Sequence, residues 1–186
     1  MPVTTSQQIS RYYDQFRDVE VTFTKEVIKT TLLYTKQVYL KAVGYQWPVI
    51  IYSTSLSGAK IIANLQGSLK DALKQSNNIV SLRFSFLRRD KPDPLAFFVG
   101  ARVAGIQPYQ GTNQQLYFLT LQFTQRPPDD LIVILGSLLE ANVNAQRRRE
   151  ERIIVNPDSM KKLRLASRGT VVSIANVPRK CIIRDV

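Results

Sequence analysis

The chain has 186 residues, 26 Lys+Arg against 14 Asp+Glu and a formal charge of +12, and its 44% hydrophobic, 22% charged composition is that of a globular protein with room for one full domain and part of a second. With no histidine and a single cysteine, Cys181, it has no intrachain disulfide, no cysteine metal site and no histidine to serve as zinc ligand or general base. The excess positive charge favours an anionic partner such as a nucleotide, a nucleic acid or an acidic membrane surface.

Thr4 to Asp18 reads as a short helix, because Ile9, Tyr12, Tyr13 and Phe16 recur at helical spacing. From Val19 to Thr24 apolar and polar residues alternate, as in a half-buried strand. The runs QVYLKAV and WPVIIYS are rich in β-branched and aromatic residues and read as further strands. Ser68 to Asn78 predicts a second short helix, with Ser68 as its cap and two asparagines at its end. The strand-like runs IVSLRFSFL, LAFFVGARVAGI and QLYFLTLQF follow, separated by proline- and glycine-bearing turns.

Pro127 and Pro128 then pre-set a helix start, Asp129 and Asp130 suit the positive end of its dipole, and Leu131, Leu135, Leu139 and Val143 form one i, i+4 row. After it, RIIV, KKLRL, GTVVSIANV and KCIIRDV read as strands. The fold class expected is mainly β with a few helices, a barrel or curled sheet. The longest apolar run, Leu131 to Leu139, is too short to span a bilayer, and the first ten residues lack the pattern of a signal peptide. A cytoplasmic protein without a membrane span is therefore expected.

The charge is uneven. From Arg147 onward there are 11 Lys+Arg against 4 Asp+Glu. That segment opens with QRRREERI, Gln146 to Ile153, four arginines and two glutamates at the junction between the predicted helix and the last strands. One reading is a solvated helix end, where each cation gains about 0.3–1 kcal/mol from the dipole. Another is an anion clamp, and a third is a nucleic-acid patch, although no aromatic stacking motif accompanies it.

Arg148 and Arg152 form R-x-x-x-R ahead of a β-rich segment, and Asp185–Val186 match the first two positions of [D/N]-x-S-x-x-G. Together these motifs resemble the opening of a PilZ domain, the bacterial receptor module for cyclic di-GMP. Upstream, STSLSGAK from Ser53 to Lys60 resembles the same strand motif with Ser53 replacing Asp or Asn, and no R-x-x-x-R precedes it. Read without the resemblance, it is a plain turn using Gly58.

The resemblance implies a degenerate PilZ-like domain over residues 1–144. Residues 145–186 would then hold the linker motif and an incomplete second β-barrel domain. It further implies cyclic di-GMP as ligand, with no other cofactor and no metal. Arg148, Arg152 and Asp185 would be the binding residues, with Arg147 and Arg149 as further candidates. Arginine's planar fork suits both phosphate oxygens and guanine O6/N7, and it stacks on purines.

The function implied is that of a receptor, not an enzyme. It would relay second-messenger level by domain rearrangement to an unidentified protein partner in motility, envelope or virulence regulation. The alternatives are a nucleic-acid-binding protein using the basic C-terminal segment and an interaction module for an acidic protein surface. A short C-terminal β segment with open edges also suggests a strand-exchanged dimer.

Overall fold

The computed structural model describes residues 5–65, 67–109, 115–146, 155–162, 164, 169–174 and 177–182. The chain divides into two compact units, Met1–Asn144 and Ala145–Val186.

The first unit opens with α1 (Ser6–Phe16), whose N-cap Thr5 accepts the amide hydrogen of Gln8. A two-residue strand β1 (Val21–Thr22) follows, then α2 (Lys25–Thr31). The strands β2 (Tyr39–Ala42), β3 (Tyr45–Pro48), β4 (Ile50–Thr54) and β5 (Gly58–Asn64) come next, followed by α3 (Gly67–Gln75). The long strands β6 (Ile79–Phe86), β7 (Leu95–Pro108) and β8 (Leu116–Phe123) lead into α4 (Asp129–Gln146).

All eight strands belong to one antiparallel sheet, ordered β1-β4-β5-β8-β7-β6-β2-β3. Only Val49 separates β3 from β4, yet β3 is last in that order and β4 is second. The sheet therefore curls until its ends approach, giving a half-barrel. Register shifts between Ile51 and Ser53 in β4 and between Val103 and Gly105 in β7 supply the local bend that such curling needs.

The inner face carries the core. Leu40, Ile61, Leu82, Phe84, Val99, Leu119 and Leu121 are buried there with Leu69 and Leu73 of α3. Leu131, Leu135 and Leu139 of α4, the row expected from the sequence, are fully buried, and Val143 packs against the same core. Each buried leucine of this kind contributes about 1.5–3 kcal/mol.

Gly136 lets α1 dock on α4. A Cβ there would lie 2.6 Å from Cγ of Tyr12. Above that contact Glu140 accepts hydrogen bonds from Arg11 Nη2 at 2.7 Å and from Tyr12 Oη at 3.1 Å. Asn77 and Asn78 end α3 in the left-handed region, and the Asn78 amide donates to the Leu73 carbonyl at 2.8 Å.

Some expectations change. The helix α2 was not foreseen, and the strand read over Val19–Thr24 shrinks to Val21–Thr22. The run Trp47–Ser53 is two strands rather than one. Ser68 lies within α3 and accepts the indole N–H of Trp47 at 3.1 Å.

In the second unit, α5 (Pro157–Lys162) takes Lys161 and Lys162 out of the strand read over KKLRL. Its cap explains why. Asn156 Oδ1 accepts the amide hydrogens of Asp158 at 3.0 Å and Ser159 at 2.8 Å, and Pro157 sits at the first helical position, where its missing N–H costs nothing. The strands β9 (Gly169–Ile174) and β10 (Val177–Ile182) pair as an antiparallel hairpin. The remainder of RIIV and KKLRL, Arg152–Ile154, Leu163 and Leu165, lies outside the described residues. Among the described residues no helix is long and apolar enough to cross a membrane.

Candidate functional site

The segment Ser53–Lys60 forms the corner between β4 and β5, and its polar atoms are consumed locally. The Ser55 hydroxyl accepts the amide hydrogens of Ser57 at 3.2 Å and Gly58 at 3.1 Å, while the Thr54 hydroxyl donates to the Gly58 carbonyl at 3.0 Å. Leu56 at the tip is fully buried, and its amide donates to the Arg17 carbonyl at 3.0 Å. Gly58 is required by contact rather than by backbone angle, since a Cβ would stand 2.5 Å from the carbonyl oxygen of Leu121 on β8. The motif thus anchors one end of the half-barrel.

Two carboxylates from the loop between α1 and β1 face this corner. Ser57 Oγ donates to Asp18 Oδ1 at 2.8 Å, and the buried Ser53 hydroxyl donates to Glu20. Beside them opens a cleft of about 290 Å³ whose lining includes Asp18, Glu20, Ser55, Gly58 and Lys60 and no arginine. Its described lining holds two carboxylates and one cation, Lys60, and so lacks the arginine fork that suits phosphate. No local signal marks Asp18 and Glu20, because their link to Ser57 and Ser53 spans 39 and 33 residues.

A second cleft of about 240 Å³ is lined by Ser57 and Leu56 of the same corner and by cations, with no carboxylate among its described lining. Arg17 and Arg126 both line it and both sit over the Tyr13 ring, at 5.9 Å and 5.0 Å from its centroid. Arg126 is ion-paired with Asp129 at 3.4 Å, so only Arg17 is unpaired by a described carboxylate.

The residues expected to hold the ligand, Arg147, Arg148, Arg149, Arg152 and Asp185, lie outside the described residues. Along the chain the described residues that flank them are Gln146 at the end of α4, Val155 before α5 and Ile182 at the end of β10. Among the described residues no cluster of His, Cys, Asp and Glu could hold a metal ion.

A curled antiparallel sheet, closed by helices and cornered by an S-x-S-x-x-G turn, defines a PilZ-type β domain. The PilZN3 domain family matches residues 7–142, and the chain belongs to that family. The resemblance drawn from Ser53–Lys60 and the arginine motif is borne out at the level of family.

A curated relative from Treponema denticola, named as a cyclic di-GMP binding protein, is 45% identical over 186 residues. The match covers 100% of this chain and 59% of the relative, so the chain spans about three-fifths of that protein's length. Among solved structures, the crystal structure of the Borreliella burgdorferi PlzA protein in complex with c-di-GMP is similar, with a TM-score of 0.61 and 25% sequence identity. That match covers 97% of this chain and 74% of PlzA.

Proposed function

We propose that this chain belongs to a cyclic di-GMP receptor whose ligand is held by the segment after residue 144. The observation that carries the reading is the 45% identity, along the whole of this chain, to a curated cyclic di-GMP binding protein. The complex of PlzA with c-di-GMP supports the same ligand.

Within the chain, Arg148 and Arg152 are the proposed clamp and Asp185 the proposed acceptor for a guanine edge, with Arg147 and Arg149 beside them. At Ser53–Gly58 the serines are engaged by their own turn and by Asp18 and Glu20, and no arginine is among the described residues lining the adjoining cleft. That corner serves the fold.

The output is proposed to be a relay to a protein partner, through a ligand-dependent change in how the two units are disposed. Motility, envelope or virulence regulation in the cytoplasm fits such a relay. No catalytic role is assigned, since receptors rather than enzymes are the relatives.

The test is calorimetry with cyclic di-GMP on the full-length gene product. Arg148→Ala and Arg152→Ala are each expected to weaken binding by more than tenfold, the loss of a charged hydrogen bond worth about 1.5–3 kcal/mol. Unchanged affinity in both variants would remove the cluster from the site.

A further inference from the structure

We propose that the outer face of the eight-stranded sheet binds single-stranded nucleic acid. The eight strands contain no Asp or Glu at all, and their charged residues are Lys41, Lys60, Arg83 and Arg102. All four project away from the core. Strand neighbours alternate in direction, and Leu40 and Ala42, Ala59 and Ile61, Leu82 and Phe84, and Ala101 and Val103 are the buried residues on either side of each. The overall charge of +12 therefore has a component concentrated on one sheet surface, separate from the arginine cluster near residue 150.

That surface also carries aromatic rings in register with its cations. Tyr39, Arg83 and Phe98 are direct partners across β2, β6 and β7. The Arg83 guanidinium lies 5.7 Å from the Tyr39 ring centroid and 5.8 Å from that of Phe98, and Lys41 Nζ lies 4.7 Å from Phe98. Phe98 is 47% exposed, unusual for a phenylalanine on a folded surface. Two strand spacings put Tyr39 and Phe98 about 10 Å apart. At the other flank Phe118 stands 5.1 Å from both Tyr52 and Tyr109, with Lys60 5.9 Å above it.

None of the four cations forms an ion pair with a described carboxylate, and only Lys60 shares a cleft with carboxylates, those of Asp18 and Glu20, so Lys41, Arg83 and Arg102 carry most of the attraction. Arg83 Nη2 donates to Gln37 Oε1 at 3.1 Å, and its buried Nε has no partner.

Charge complementarity and ring geometry select the occupant. A polyanion satisfies the unpaired cations, and unstacked bases satisfy the exposed rings, each such stack typically contributing severalfold to affinity. Duplex nucleic acid would meet the cations but leave the rings unused, because its bases are already stacked. An apolar protein surface would have to desolvate the four cations without pairing them. The row Tyr39–Arg83–Phe98 supplies what the arginine cluster lacks in the sequence, a stacking platform beside the charge.

The test is fluorescence anisotropy of the 186-residue chain with a fluorescein-labelled 20-nucleotide oligouridine, at 50 and 200 mM salt. Three or four neutralised phosphates predict about a 20- to 50-fold loss of affinity between those conditions. Phe98→Ala is expected to weaken binding at least about fivefold. Lys41→Gln with Arg102→Gln is expected to weaken it further and flatten the salt dependence by about 1.4 in log–log slope. Thermal melts of each variant confirm that the fold is retained.

Absence of binding by the unmodified chain overturns the proposal. So does binding that neither variant alters, which would assign it to the C-terminal arginines. Tighter binding to a 20-base-pair duplex, or concentration-dependent self-association abolished by Phe98→Ala, overturns it as well.

Discussion

Gly58 of β5 passes so close to β8 that a Cβ would stand 2.5 Å from the carbonyl oxygen of Leu121. The obstacle is backbone, which cannot swing aside as a side chain can. Gly58→Ala is therefore expected to lower stability by about 1–3 kcal/mol, the range for overpacking. Because the proposed ligand site lies elsewhere, cyclic di-GMP affinity of the folded full-length protein is expected to stay unchanged. Thermal melting and calorimetry on the same preparation check both halves. A variant with wild-type stability and lost affinity would return the motif to the binding site.

The turn joining β2 and β3 holds Val43 at φ 48° and Gly44 at φ 80°. Two consecutive positive φ angles suit Asn-Gly, and a β-branched residue at the first is strained. Val43 is 40% exposed, so its side chain contributes little burial to offset that strain. Val43→Asn is expected to stabilise the protein by about 1 kcal/mol, or about 2–4 °C in Tm. Differential scanning calorimetry would show it, and a fall in Tm would contradict it.

Glu26, in the first turn of α2, titrates below the ordinary glutamate range, chiefly through a backbone amide hydrogen bond and secondarily through the Thr24 hydroxyl. A carboxylate with a depressed folded-state pKa stabilises the fold above its unfolded value, and that contribution fades as pH falls through the folded one. Glu26→Gln is expected to narrow the gap in Tm between neutral and acid pH. An NMR titration of the side chain checks the direction, and a value above the ordinary range would contradict it.

Much of the first unit was legible because its signals are local. Asp129 and Asp130, set after two prolines and before the Leu131–Leu135–Leu139 row, marked α4, and Asn77–Asn78 marked the end of α3. The helix α2 was not legible because its seven residues include only two apolar ones, Val27 and Ile28, too few to give a period, although both pack against the core. The break at Val49 was hidden inside a β-rich run, and it depends on curling of the sheet, a non-local event. The cap at Asn156–Pro157 was local and legible, but the basic, strand-like composition of KKLRL outweighed it. The role of Ser53 and Ser57 needed Glu20 and Asp18, which only the folded chain brings near. The cation–aromatic row of Tyr39, Arg83 and Phe98 likewise needs three strands in register, and no linear motif records it.

In solution, the proposed relay requires that the ligand change how the two units are disposed. Small-angle scattering of the full-length protein with and without cyclic di-GMP is expected to give different profiles. Superimposable profiles under saturating ligand would mean that the signal is read from the liganded surface itself.

The division of labour along the chain is tested most directly by titrating cyclic di-GMP into residues 1–144 and into the full-length gene product side by side. Residues 1–144 form a compact unit with their own core, so the fragment is expected to fold and melt cooperatively. Saturable binding by the full-length protein and none by the fragment is expected. Saturable micromolar binding by the folded fragment would contradict it, and would place the ligand in the unit that contains Ser53–Gly58.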